Sequence, residues 1–157
     1  MENQRECGEC TACCKTHGVR ELSKNAGVWC PHCNIGKGCK IYSERPKSCQ
    51  NFQCSWLVGL GLMEYRPDKT GIVPANEIIS GLDGITLWLH EVNKGSLESE
   101  FAKKQTRLNL EVSNSVLHIP LVGKVRLYLP EGVDDSDLRF RMDMREVDIV
   151  PFLVGRF

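Results

Sequence analysis

Cysteine is missing from residues 55–157 of this 157-residue chain, while nine cysteines crowd the stretch from Cys7 to Cys54. Other absences narrow the reading. There is no charge excess: 20 basic side chains face 20 acidic ones, whereas proteins that bind nucleic acid usually carry a basic surplus. Nucleic acid is therefore not an expected partner. No long apolar run is present. The longest, Trp56–Met63, is eight residues with two glycines, and about 20 are needed to cross a bilayer, so no membrane span is expected. The opening MENQREC has no apolar segment behind a basic start, which excludes a secretory signal. The expected location is cytoplasmic. Phosphate-loop, dinucleotide, zinc-protease and serine-hydrolase motifs are all absent, leaving no catalytic residue and no organic-cofactor site to name. Repeats and low-complexity tracts are absent as well.

What is present is the cysteine set. Reducing cytosol seldom preserves structural disulfides, and an odd count would strand one thiol. Metal binding is the leading account. Cys7, Cys10 and Cys13 are three apart, with Cys14 following directly; Cys30 and Cys33 flank Pro31-His32; Cys39, Cys49 and Cys54 complete the set. A C-x2-C loop lets two thiolates grip one metal while loop amides point at the sulfurs. Two assignments compete. In a zinc site, Cys7 and Cys10 pair with Cys30 and Cys33, close to zinc-ribbon spacing. In an iron–sulfur site of the 4Fe–4S type, Cys7, Cys10 and Cys13 hold three corners of a cubane, with a remote cysteine such as Cys30 as the fourth. Adjacent Cys13 and Cys14 seldom reach one tetrahedral ion together. One of them is expected to serve a second metal, stay a reactive thiol, or act as a small buried hydrophobe. Nine cysteines also allow two four-ligand sites plus one.

The runs CGECTACC, CPHCNIGKGCKIY and ERPKSCQNFQCSW resemble the YkgJ-type cysteine-cluster family, a zinc- or iron-chelating domain with the pattern CxxCxxCC, a later cysteine, C-x-I-Y and R-P-x-x-C. The corresponding positions are Cys7, Cys10, Cys13, Cys14, Cys30, Cys39-Lys40-Ile41-Tyr42, Arg45-Pro46, Cys49 and Cys54, covering about residues 7–57. Cys33 is an addition to the commonest form. The family is similar to the cysteine-rich part of flagellin lysine N-methylases, which implies iron–sulfur capability. Residues 58–157 show no cofactor motif that would carry methylase activity over.

The resulting expectation is a small metalloprotein holding an iron–sulfur cluster or zinc, with redox or protein-modification chemistry and a protein partner or substrate. The alternative is a structural zinc module for protein–protein interaction. Charge is uneven: residues 1–57 hold eight basic and five acidic side chains, residues 58–157 twelve and fifteen. Four thiolates around a divalent ion leave a net charge of about −2, which the local basic excess would offset. Among the histidines, His17 and His32 lie near cysteines but read more simply as loop residues, and His90 and His118 as sheet residues. Arg45 would counter thiolate charge if it turns toward the cluster. Trp29, Tyr42, Phe52 and Trp56 would shield the metal or join the two parts. Asp134, Asp135 and Asp137 read as a solvated turn.

The fold expected is α+β: an irregular cysteine-rich module over residues 1–57, packed on a small antiparallel sheet with one main helix over residues 58–157. Short helices are expected at Cys10–Lys15 and Tyr42–Asn51, strands at Gly71–Ile79 and Gly84–Val92, and a hairpin from Val116–Leu121 and Val125–Leu129. The helix is expected over about 97–112, capped by Ser96, with Leu97, Phe101, Leu108 and Val112 on its buried face. Weak helical character over Ser136–Arg145 and an apolar Ile149–Val154 end the chain.

Overall fold

A computed structural model describes residues 5–136, 138 and 145–152. The class is α+β. The N-terminal third forms short pieces: helix α1 (Cys13–Thr16), a two-stranded ribbon of β1 (Cys33–Asn34) and β2 (Gly38–Cys39), and helix α2 (Lys47–Asn51). Helix α3 (Pro67–Thr70) leads into a five-stranded sheet of β3 (Ile72–Glu77), β4 (Thr86–Glu91), β5 (Ser115–Ile119), β6 (Val125–Tyr128) and β7 (Val147–Val150), in sequential order. Helix α4 (Glu100–Glu111) connects β4 to β5. Among the described residues, no helix is long and apolar enough to cross a membrane.

The sheet is mixed rather than wholly antiparallel. Pairs β3–β4 and β5–β6 are antiparallel, whereas β4–β5 and β6–β7 are parallel. The chemical reason for the β4–β5 pairing is length. Twelve helical residues rise about 18 Å, close to the roughly 17 Å of a five-residue strand, so α4 returns the chain to the end where β4 began. Apolar groups then cover both faces. Leu87, Leu89 and Val116 pack beneath α4 with Leu97, Ala102 and Leu110. Leu117, Val125, Leu127 and Leu129 pack with Ile79 and Leu138. Strand β4 is accordingly buried at five of its six positions, not on one face alone.

The helix differs from expectation at its start and on its inner face. Residues 96–98 form a 3-10 turn, and Ser99 is the cap: its Oγ accepts the Ala102 N–H at 3.2 Å. The buried stripe is Ala102, Thr106 and Leu110; Leu108 and Val112 face solvent. Small Ala102 lets the helix approach the sheet, and Thr106 is buried because its hydroxyl is satisfied. It donates to Ala102 O at 2.8 Å and meets His118 Nε2 at 2.8 Å. With the single hydroxyl proton committed to the carbonyl, His118 must supply the other, which places its proton on Nε2.

The Tyr42–Asn51 helix is broken at Arg45-Pro46 into a 3-10 turn, Tyr42–Glu44, and α2. The apolar run Trp56–Met63 is a turn, held by Arg5, whose guanidinium donates to the carbonyls of Trp56, Leu60 and Gly61 at 2.7–3.0 Å. Most of the Ser136–Arg145 segment, Asp137 and the end of Ile149–Val154 lie outside the described residues; Ile149 and Val150 belong to β7.

Candidate metal-binding cysteine cluster

Two tight turns aim the C-x2-C thiols. Cys10 N–H donates to Cys7 O at 2.8 Å and Cys33 N–H to Cys30 O at 3.0 Å, closing a four-residue turn in each case. Gly8 occupies the first turn with φ +52, a left-handed value that a side chain would strain. Cys30 N–H donates to Cys14 O at 3.1 Å, so the second turn hangs on α1. Cys33 and Cys39 are direct partners across the ribbon. Cys49 lies in α2, whose start is anchored by Glu21: the Ser48 N–H and hydroxyl donate to its carboxylate at 3.0 and 2.5 Å. Cys54 and Cys10 pack against Ala12, Val73 and Val92 at the sheet.

All nine cysteines are free and half-buried. Burial raises the thiols of Cys7, Cys10, Cys49 and Cys54 above their ordinary value, and pushes Cys33 up to about 11. A hydrogen bond with Cys13, then burial, drives Cys14 higher still. Cys14 lies beside both Cys13 and Cys33, and the Thr11 hydroxyl lies beside Cys33. Thr11 Oγ1 in turn accepts the Gly36 N–H at 3.0 Å.

Other sulfurs lie near backbone N–H groups. The backbone of Ala12 and Asp68 pulls the Cys10 thiol down against burial, and that of Trp56 and Leu57 does so for Cys54. Such donors favour the thiolate, the form that binds metal.

Lys24 is the residue that sequence reading did not single out. A short loop delivers it: Val19 and Lys24 bridge through reciprocal backbone bonds at 2.9 and 3.0 Å, around a 3-10 turn and Ser23 at φ +49. The side chain is buried, at 8% relative exposure. Its ammonium donates to the carbonyls of Lys15 and His17, and among the described residues no carboxylate pairs with it. Burial lowers its pKa, opposed by whatever negative charge Cys30, Cys14, Cys13 and Cys49 carry. The basic excess of residues 1–57 was the signal available in the sequence.

Arg45 stacks on Tyr42 at 4.0 Å and lies within electrostatic reach of Cys7. Tyr42 itself is 56% exposed and shields nothing. Trp56 is buried, and Phe52 packs on His17 with ring centres 3.9 Å apart. His17 also meets His90 at 4.3 Å, and burial holds both imidazoles neutral, His17 at about 4. His17, Phe52 and His90 line a cleft of about 1340 Å³ between the module and the sheet, with Lys24, Glu77, Trp88 and Arg145 among its walls. His32 offers its carbonyl to Lys40 N–H at 2.9 Å.

The fit to a metal is one of donor chemistry. Free thiols, N–H groups near sulfur and a buried cation suit a thiolate-bound metal, but among the described residues no three His, Cys, Asp or Glu side chains converge as a metal-holding group. No family model, curated protein or solved structure matches the chain.

Proposed function

We propose that residues 7–54 bind metal through cysteine thiolates, with an iron–sulfur cluster as the leading cargo and zinc as the alternative. The observation that carries the reading is Lys24. A buried ammonium met by two backbone carbonyls and, among the described residues, by no carboxylate keeps a desolvation cost that opposite charge would offset. The surrounding Cys13, Cys14, Cys30 and Cys49 offset that cost only as thiolates, and metal coordination is what keeps half-buried thiols ionised at neutral pH. The resemblance of CGECTACC, CKIY and RPKSC to YkgJ-type chelating proteins points the same way.

An iron–sulfur cluster would supply electron transfer or an open iron. The chain's own contribution is to hold the sulfurs, keep amides near them, and place Lys24 and Arg45 nearby as counter-charges. In this reading the protein works in the reducing cytoplasm. It meets a protein partner or substrate, and binds neither nucleic acid nor membrane. Zinc stapling a module that only presents the sheet to a partner would use the same thiols, so metal and sulfide content separates the two.

The test is anaerobic purification followed by iron, zinc and acid-labile sulfide analysis and a visible spectrum. Iron with stoichiometric sulfide and a broad brown absorption supports the cluster. Colourless anaerobic protein with stoichiometric zinc and no sulfide overturns the cluster and leaves the zinc module. Metal-free protein after anaerobic purification overturns thiolate metal binding altogether.

A further inference from the structure

We infer that the nine cysteines serve two separate metal sites of unequal completeness: an open three-thiolate site from Cys7, Cys10 and Cys54, and a filled site drawn from the other six cysteines. This inference rests on the metal-binding reading above and deepens it.

The division follows from where the chain puts the sulfurs. Cys7 and Cys10 share one closed turn. Cys10 and Cys54 pack on the same apolar patch of Ala12, Val73 and Val92, and each of the three lies within electrostatic reach of another member. Ser55 N–H donates to Pro74 O at 2.8 Å, which fixes Cys54 against the sheet. The other six are tied to one another instead. Cys30 hangs on Cys14, Cys33 pairs with Cys39, Cys14 lies beside Cys13 and Cys33, and Cys49 faces Cys14, Cys30 and Cys39.

Charge compensation divides in the same way. Lys24 faces Cys13, Cys14, Cys30 and Cys49. Arg45 faces Cys7, and Arg66 faces Cys10. Each group therefore has cations of its own. Cys7 also feels Cys14, so the two groups are neighbours. Their donor counts differ in consequence. Six cysteines can close a four-thiolate shell with two to spare, which is the pattern of a structural site. Three thiolates leave one tetrahedral position for an outside ligand, which is the pattern of a site that does chemistry. Asp68 lies within electrostatic reach of Cys10, but Arg66 holds its carboxylate at 2.6 and 2.8 Å.

Cobalt(II) titration of the reduced, metal-free full chain under argon tests the division, because the cobalt–thiolate spectrum reports both stoichiometry and sulfur count. Two ions per chain are expected, one with a four-thiolate spectrum and one whose spectrum shifts when imidazole is added. Cys54→Ser, with Cys7→Ser as a second variant, should lose the imidazole-sensitive ion and keep the other. Cys14→Ser, Cys30→Ser and Cys49→Ser together, which leave three of the six, should lose the four-thiolate ion and keep the imidazole response. One cobalt per chain, or loss of both ions in the Cys54→Ser and Cys7→Ser variants with the far-ultraviolet circular dichroism retained, overturns the division while leaving metal binding intact. A wild-type chain that binds no cobalt overturns both.

Discussion

Thr106 and His118 are two polar side chains buried at the seam between α4 and β5, and each is there because the other satisfies it. Burial, with a smaller push from Arg126, lowers the His118 pKa to about 4 from its ordinary 6.5. A histidine whose folded pKa lies below its unfolded one stabilises the fold fully above the unfolded value and progressively less as pH falls toward the folded one. That window runs from about pH 6.5 down to about 4. Between pH 7 and pH 5 the wild type should lose about 2 kcal/mol more stability than His118→Gln, whose amide can still donate to Thr106. His17 and His90 titrate in both proteins and cancel from the difference. Urea unfolding at the two pH values measures it; equal losses would remove His118 from the acid response. In the sequence, Thr106 was passed over when apolar positions were counted, because its partner lies on another element. Lys24 was invisible for the same reason, whereas the cysteines announced themselves through spacing alone.

Two serines compete to start the main helix. Ser96 and Ser99 each precede acidic residues that suit a first turn, so sequence alone favours the earlier one. Backbone geometry decides otherwise. Gly95 at φ +91 throws residues 96–98 into a 3-10 turn, and Ser99, at φ −70 and ψ 156, has the extended backbone of a cap. Ser99→Ala should cost about 1 kcal/mol, and Ser96→Ala less than half of that, when both are compared by thermal or urea unfolding. The reverse ranking would return the cap to Ser96. The mixed sheet was also partly legible. A strand, a helix and a strand in succession form the unit that pairs its two strands in parallel, and the expected elements over 84–121 contained that unit. Local alternation in Ile85–His90 suggested a half-buried strand, but alternation cannot report that a second layer covers the other face. Ile85 itself is 46% exposed.

For the whole molecule, the division of labour is between a part that can order itself and a part that cannot. The sheet and α4 bury continuous apolar clusters. The module's helices and strands are two to five residues long, too short to persist without an external constraint. Removing metal with a chelator should therefore abolish amide protection across residues 7–54 while strands β4 and β5 keep theirs, as read by hydrogen exchange. Loss of protection in both regions together would mean that the chain folds as one cooperative unit. Composition showed this asymmetry early, in the crowding of cysteine into one third of the chain. It did not show the attachment: Lys15 Nζ reaches Val92 O at 2.6 Å, and Ser55 reaches Pro74 O.

That second bond lies on β3, the outermost strand on its side of the sheet. An outermost strand offers unpaired backbone groups to any other extended chain, and proteins must cover or blunt it. Pro74 removes one donor from this strand, the Ser55 bond occupies an acceptor, and Ala12, Cys10 and Cys54 lie over Val73. If metal orders the segment that does this covering, then metal also guards against aggregation. Stripped protein should gain light scattering with time and concentration, and restored metal should suppress it before any partner or substrate is involved.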